Sequence, residues 1–109
     1  MAYFIVEFQG GRVQRVVLDK SPVVLGRGAG CDLQIVDPKI SRHHCQLVEH
    51  EGQWHLEDLG SRNQTWMGLQ PIDDVILGDG DQFCIGGTHF TFRSEPGPAD
   101  IPPELPDGS

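Results

Sequence analysis

Positive charge is scarce in this chain. Its 109 residues carry eight Lys and Arg against sixteen Asp and Glu, a formal net charge of −8, and Lys20 and Lys39 are the only lysines. Nonspecific DNA or RNA binding depends on many cationic contacts to phosphates, so no nucleic acid partner is expected. Long apolar runs are missing too, and no stretch approaches the ~20 residues that span a bilayer. The opening MAYFIVEFQ lacks the basic start, long apolar run and small-residue cleavage site of a secretory signal. No membrane partner is expected either. Cysteine is limited to Cys31, Cys45 and Cys84. An odd number at unrelated spacings excludes a complete disulfide framework and fits reduced thiols in the cytoplasm. No window keeps helical spacing for three turns, which removes the helical fold classes.

What is there is a succession of short apolar runs separated by turn residues. They predict strands near residues 3–8, 12–18, 23–25, 33–35, 44–48, 54–57, 65–67, 74–76, 82–85 and 88–93. Gly10 and Gly11 close a tight hairpin, Glu51 and Gly52 reverse the chain, and Gly86 and Gly87 join the last two strands. Alternation puts Trp54 with Leu56, Phe83 with Ile85, and Phe90 with Phe92 on common faces. Two sheets packed face to face would bury those sets, giving an all-β sandwich. Residues 1–93 form one folded domain, long enough to bury roughly 65% of its unfolded surface. Residues 94–109, SEPGPADIPPELPDGS, are rich in proline and acid and form a flexible tail or linker.

Three longer connections remain, and they hold the scarce arginines. In the first, Arg27 sits between Gly26 and Gly28, where the backbone turns sharply and a guanidinium offers a planar fork of donors. In the second, Ser41 offers a hydroxyl and a backbone amide, Arg42 a second guanidinium, and His43 and His44 lead into a strand. In the third, Arg62 adds another guanidinium and Asn63 a carboxamide that donates and accepts at once. A phosphomonoester, with about −1.5 to −2 charges and three acceptor oxygens, is the anion such a set would saturate.

Other chemistry is weaker. The glycines around Arg27 lack the spacing and following helix of a nucleotide-binding loop. His43 and His44 have no partner at metal-ligand spacing and, as strand neighbours, point to opposite faces, so no metal or cofactor is expected. Cys45 beside His44 has the makings of a thiol nucleophile, but it shares a face with Leu47 and reads as core.

The order of the pieces is specific. Gly26 and Arg27, then Ser41, Arg42 and His44, then Asp58-Leu-Gly-Ser-x-Asn63, then Gly80-Asp-x-x-x-Ile-Gly86 closely resemble the forkhead-associated (FHA) domain. The likeness runs from about Phe4 to Phe92. It implies a β-sandwich of about eleven strands in two mostly antiparallel sheets, with phosphothreonine peptides held on loops at one end. It also implies that Arg27 and Ser41 contact the phosphate and that Asn63 holds the peptide backbone just after it. Arg42 and Arg62 add contacts, and Gly26, His44, Gln64 and Thr65 support the loops. His44 is implied to brace the Ser41 loop. The chain departs from the family at Gln64, where a glycine is usual. If that position needs a positive φ, Gln64 costs ~1 to 2 kcal/mol or the loop shifts.

The expected function is therefore noncatalytic recognition of phosphothreonine in bacterial-style Ser/Thr kinase signalling, by a cytoplasmic monomer. The only threonines, Thr65, Thr88 and Thr91, all fall in predicted strands. The ligand is thus expected in trans, on a Ser/Thr kinase or its substrate. A phosphate-independent adaptor on the same sandwich is the first alternative, and a hydrolase using Cys45 and His44 the second.

Overall fold

The structure, a computed structural model, describes residues 2–94. The tail expected beyond Ser94 lies outside the described residues. Eleven strands form two sheets, as the resemblance implies and one more than the strand-by-strand reading predicts. The strands are β1 (Ala2–Glu7), β2 (Val13–Val17), β3 (Val23–Gly26), β4 (Leu33–Gln34), β5 (Cys45–His50) and β6 (Gln53–Asp58). They continue with β7 (Thr65–Met67), β8 (Gln70–Ile72), β9 (Asp74–Leu77), β10 (Gln82–Ile85) and β11 (Thr88–Ser94). One sheet runs β2-β1-β11-β10-β7-β8 and the other β4-β3-β5-β6-β9. Every pairing is antiparallel except β3 with β4. Among the described residues no helix is long and apolar enough to cross a membrane.

The alternating apolar sets make the core. Phe4, Phe83, Phe90 and Phe92 of the first sheet are buried against Leu25, Leu47 and Leu56 of the second. The Phe83 and Phe90 rings stack at 4.7 Å, and Phe4 meets both edge-on, the geometries that aromatic quadrupoles favour. The turns follow their residues. Gly10, Gly11, Glu51, Gly52 and Gly86 all take positive φ.

Most strand ends shift by one or two residues from the predicted ones, and three differences bear on the site or the sheet edges. The short strand β8 has no counterpart in the predicted set, because Pro71 reads as a strand breaker. Proline is accommodated here because β8 lies at the edge of its sheet, where a missing N–H costs no ladder bond. The strand expected from His44 begins instead at Cys45, so His43 and His44 belong to the preceding loop and strand alternation does not orient them. Strand β11 extends to Ser94, one residue past the predicted end, because the Ser94 amide donates to Asp79 Oδ1 at 2.9 Å.

Candidate functional site

The three connections singled out in the sequence meet at one end of the sandwich, and backbone hydrogen bonds lock them together. The Arg27 amide donates to Ser41 O at 2.9 Å and the Gly28 amide to Arg42 O at 3.0 Å. Arg27 Nε donates to Ile40 O at 3.0 Å, and Cys31 Sγ to Arg42 O, also at 3.0 Å. Such close approach requires a residue without a side chain. A Cβ on Gly26 would lie 2.2 Å from Arg42 O, and φ at Gly26 is not positive, so space rather than conformation demands the glycine.

The second connection is held from both sides. The Asp37 carboxylate, buried behind it, accepts from the amides of Lys39 at 2.9 Å and Gly87 at 3.1 Å. These two bonds, Lys39 first, keep the carboxyl below its ordinary pKa and tie the loop to the turn between β10 and β11. His44 is fully buried and joins the second loop to the third: its Nδ1 accepts from the Ser41 amide at 3.0 Å and its Nε2 donates to Gln64 O at 2.8 Å. This is the bracing role that the resemblance implies. It also corrects one expectation, since the Ser41 amide is spent on His44 and only the hydroxyl remains for a ligand. Ser41 Oγ accepts from the Arg62 amide at 3.0 Å, which leaves its hydrogen free to donate.

The third connection is built on Asp58. Burial opposes ionisation there, but hydrogen bonds from Ser61, Thr65 and Gly60 outweigh it and hold the carboxyl below its ordinary range. Thr65 is fully buried, with Oγ1 on Asp58 Oδ1 at 2.8 Å. Asn63 Nδ2 donates to Lys39 O at 2.7 Å, which leaves the carboxamide oxygen as an acceptor for a ligand amide. Trp66 Nε1 caps Asn63 O at 2.9 Å.

Gln64 sits at φ 69°, so it adopts the left-handed conformation that a glycine would take without strain. Its carbonyl, bonded to His44, serves the site whatever the side chain. Replacing it with Gly should therefore raise stability by ~1 kcal/mol by removing left-handed strain, with binding unchanged or stronger. Thermal or urea unfolding measures this. A less stable Gln64→Gly protein would mean that the exposed side chain makes a contact worth more than the strain.

Arg27, Ser41, Arg42, Arg62 and Asn63 line one open cavity of about 190 Å³, completed by the Pro38, Lys39 and Ile40 segment. All five expected ligand residues thus share one pocket, while His43 is exposed outside it. Lys39 is the lining cation that the sequence reading missed. Its only signal was its position two residues before Ser41, and its backbone contact with Asn63 is visible only in three dimensions.

The competing chemistry fares poorly. Cys45 is fully buried and burial pushes its thiol up to about 12, far from a thiolate at neutral pH. Both His44 ring nitrogens are engaged by backbone. Among the described residues no group of three or more His, Cys, Asp or Glu is placed to hold a metal ion.

A family model described as the FHA domain matches residues 23–86. The glycogen accumulation regulator GarA of Mycolicibacterium smegmatis is 30% identical over 82 residues, 75% of this chain and 52% of that protein. The chain thus spans about half the length of the curated relatives it matches. An FHA domain solved in a study of phosphothreonine-dependent interactions superposes with a TM-score of 0.76 at 25% identity, covering 87% of this chain and 97% of that one. Mycobacterium tuberculosis EmbR, solved in complex with a low affinity phosphopeptide, gives a TM-score of 0.73 at 27% identity over 87% of this chain and 25% of its own.

Proposed function

The chain belongs to the FHA domain family, and from that premise we propose that it is a noncatalytic module binding phosphothreonine segments of other proteins in cytoplasmic Ser/Thr kinase signalling. The binding domain is residues 1–93, and the acidic segment after it serves as a tail or linker. The observation that carries this is the convergence of Arg27, Ser41, Arg42, Arg62 and Asn63 on one cavity in a chain of net charge −8. In this reading Arg27 and the Ser41 hydroxyl donate to the phosphate oxygens, and Arg42 and Arg62 neutralise its second charge. The Asn63 carboxamide oxygen receives a peptide amide. The regulator name carried by GarA and the phosphopeptide bound to EmbR support a recognition role.

The ligand lies on another polypeptide or on a segment beyond Ser109, not on the threonines of this domain. Thr65 and Thr88 are fully buried in their strands and Thr91 is half-buried in β11. None reaches the cavity without local unfolding, which costs up to the global ~5 to 15 kcal/mol. The domain is therefore expected not to self-associate through its own threonines, and to remain a monomer.

Matched isotherms with phosphothreonine and phosphoserine versions of one peptide test the pocket. A methyl group against the loop wall is worth ~1 to 3 kcal/mol, so phosphothreonine should bind roughly 5- to 200-fold tighter. Affinity should also fall below about pH 6, where the phosphate loses its second ionisation. Equal affinities, or no decline in acid, would contradict this arrangement.

A further inference from the structure

Eight basic side chains serve the whole chain, and four of them, Arg27, Lys39, Arg42 and Arg62, line one cavity. The other four are already matched. Lys20 pairs with Asp32 and Arg93 with Asp79, while Arg12 lies over the Phe8 ring and Arg15 over Tyr3. Among the described residues, no carboxylate pairs with any of the four cavity cations. Among the described residues, a protein with twice as many acids as bases therefore leaves four cations without an ion-paired carboxylate around about 190 Å³. One phosphothreonine brings about −2 charges and balances only half of them.

Lys39 marks where the surplus sits. Its backbone is fixed on both sides, the amide on Asp37 Oδ1 at 2.9 Å and the carbonyl by Asn63 Nδ2 at 2.7 Å. Its ammonium forms no ion pair among the described residues, although as a neighbouring charge it helps, after the two amide hydrogen bonds, to hold the Asp37 carboxyl below its ordinary pKa. It is a placed but uncommitted point charge, suited to an anion whose orientation is not fixed in advance.

Resting on the phosphothreonine reading above, we propose that the preferred ligand is doubly phosphorylated, with a second phosphate within about two residues of the phosphothreonine. Two dianions match the four cations, whereas a single flanking carboxylate leaves one charge over. The spacing follows from the single cavity, since two residues of extended chain span ~7 Å.

The test is a set of synthetic peptides titrated into the full chain: one singly phosphorylated parent, versions with a second phosphoserine one or two residues to either side, and Glu at the same positions. At least one doubly phosphorylated peptide should bind about tenfold tighter than the parent or better, with Glu giving a smaller gain. The ratio of doubly to singly phosphorylated affinity should collapse toward one in Lys39→Ala. It should persist in Arg93→Ala, which removes the same charge elsewhere.

Tight binding of the parent with no gain at any position would overturn the second-phosphate assignment alone, as would a gain untouched by Lys39→Ala. A Glu gain equal to the phosphate's would replace the second phosphate with an acidic side chain. If no phosphopeptide bound at all, the underlying phosphothreonine reading would fall with it.

Discussion

Arg27→Ala should abolish most phosphopeptide binding while leaving the sandwich folded. The side chain is exposed on its loop and makes one internal bond, from Nε to Ile40 O. That bond ties the guanidinium to the Ile40 segment, beside the cavity that Arg27 lines with Ser41, Arg42 and Arg62. Removing one partner of a desolvated, hydrogen-bonded ion pair costs ~2 to 5 kcal/mol, or about 30-fold to several thousandfold in affinity. The fold should survive because the loop is held by backbone: the Arg27 amide on Ser41 O and the Gly28 amide on Arg42 O remain in the variant. Calorimetric titration alongside thermal unfolding separates the two effects. A folded Arg27→Ala protein binding within about threefold of wild type would show that Arg27 is not a phosphate ligand.

Gly26→Ala is expected to damage stability and binding together. The new Cβ would lie 2.2 Å from the Arg42 carbonyl oxygen, 2.8 Å from its carbon and 3.0 Å from Cys31 Sγ. The first two atoms are backbone and cannot rotate away. The same Arg42 carbonyl accepts from Gly28 and Cys31, so relieving the clash breaks the seam between the Arg27 and Ser41 loops. Overpacking of this kind costs ~3 kcal/mol or more, and separating Arg27 from Ser41 should weaken binding about tenfold or beyond. Gly30, in the same loop, is the control: a Cβ there meets nothing within 4 Å and its φ is not positive, so Gly30→Ala should be close to neutral. Equal midpoints for the two variants in denaturant unfolding would mean that the loops do not rely on this contact.

The contrast between these glycines shows what the sequence could and could not disclose. Alternation in Phe90 and Phe92, or Trp54 and Leu56, declared the buried faces because strand periodicity is local. Likewise Arg27, Ser41 and Asn63 were legible because their order and spacing form a pattern. What sequence could not supply was which polar groups are already spent. The Ser41 amide looked available until the fully buried His44 was seen to accept from it. Lys39 was only one of two lysines in the sequence, and its place in the cavity shows only once the loops are assembled and Asn63 bonds its carbonyl. Strand β8 was hidden by Pro71, whose cost depends on whether the strand lies at an edge, a property of the assembled sheet. At Gln64 the sequence posed the alternatives of strain or a shifted loop, and the backbone angle of 69° decided for strain.

The central claim is that a phosphate, rather than peptide shape alone, is what the cavity binds. It is tested most directly by titrating a phosphothreonine peptide and its unphosphorylated twin into the wild-type chain under identical salt and pH. The account predicts saturable binding of the phosphopeptide and an affinity at least ~100-fold lower for the twin, the scale of losing a buried charge pair. Equal affinity for the two peptides would contradict it and leave the sandwich a phosphate-independent adaptor.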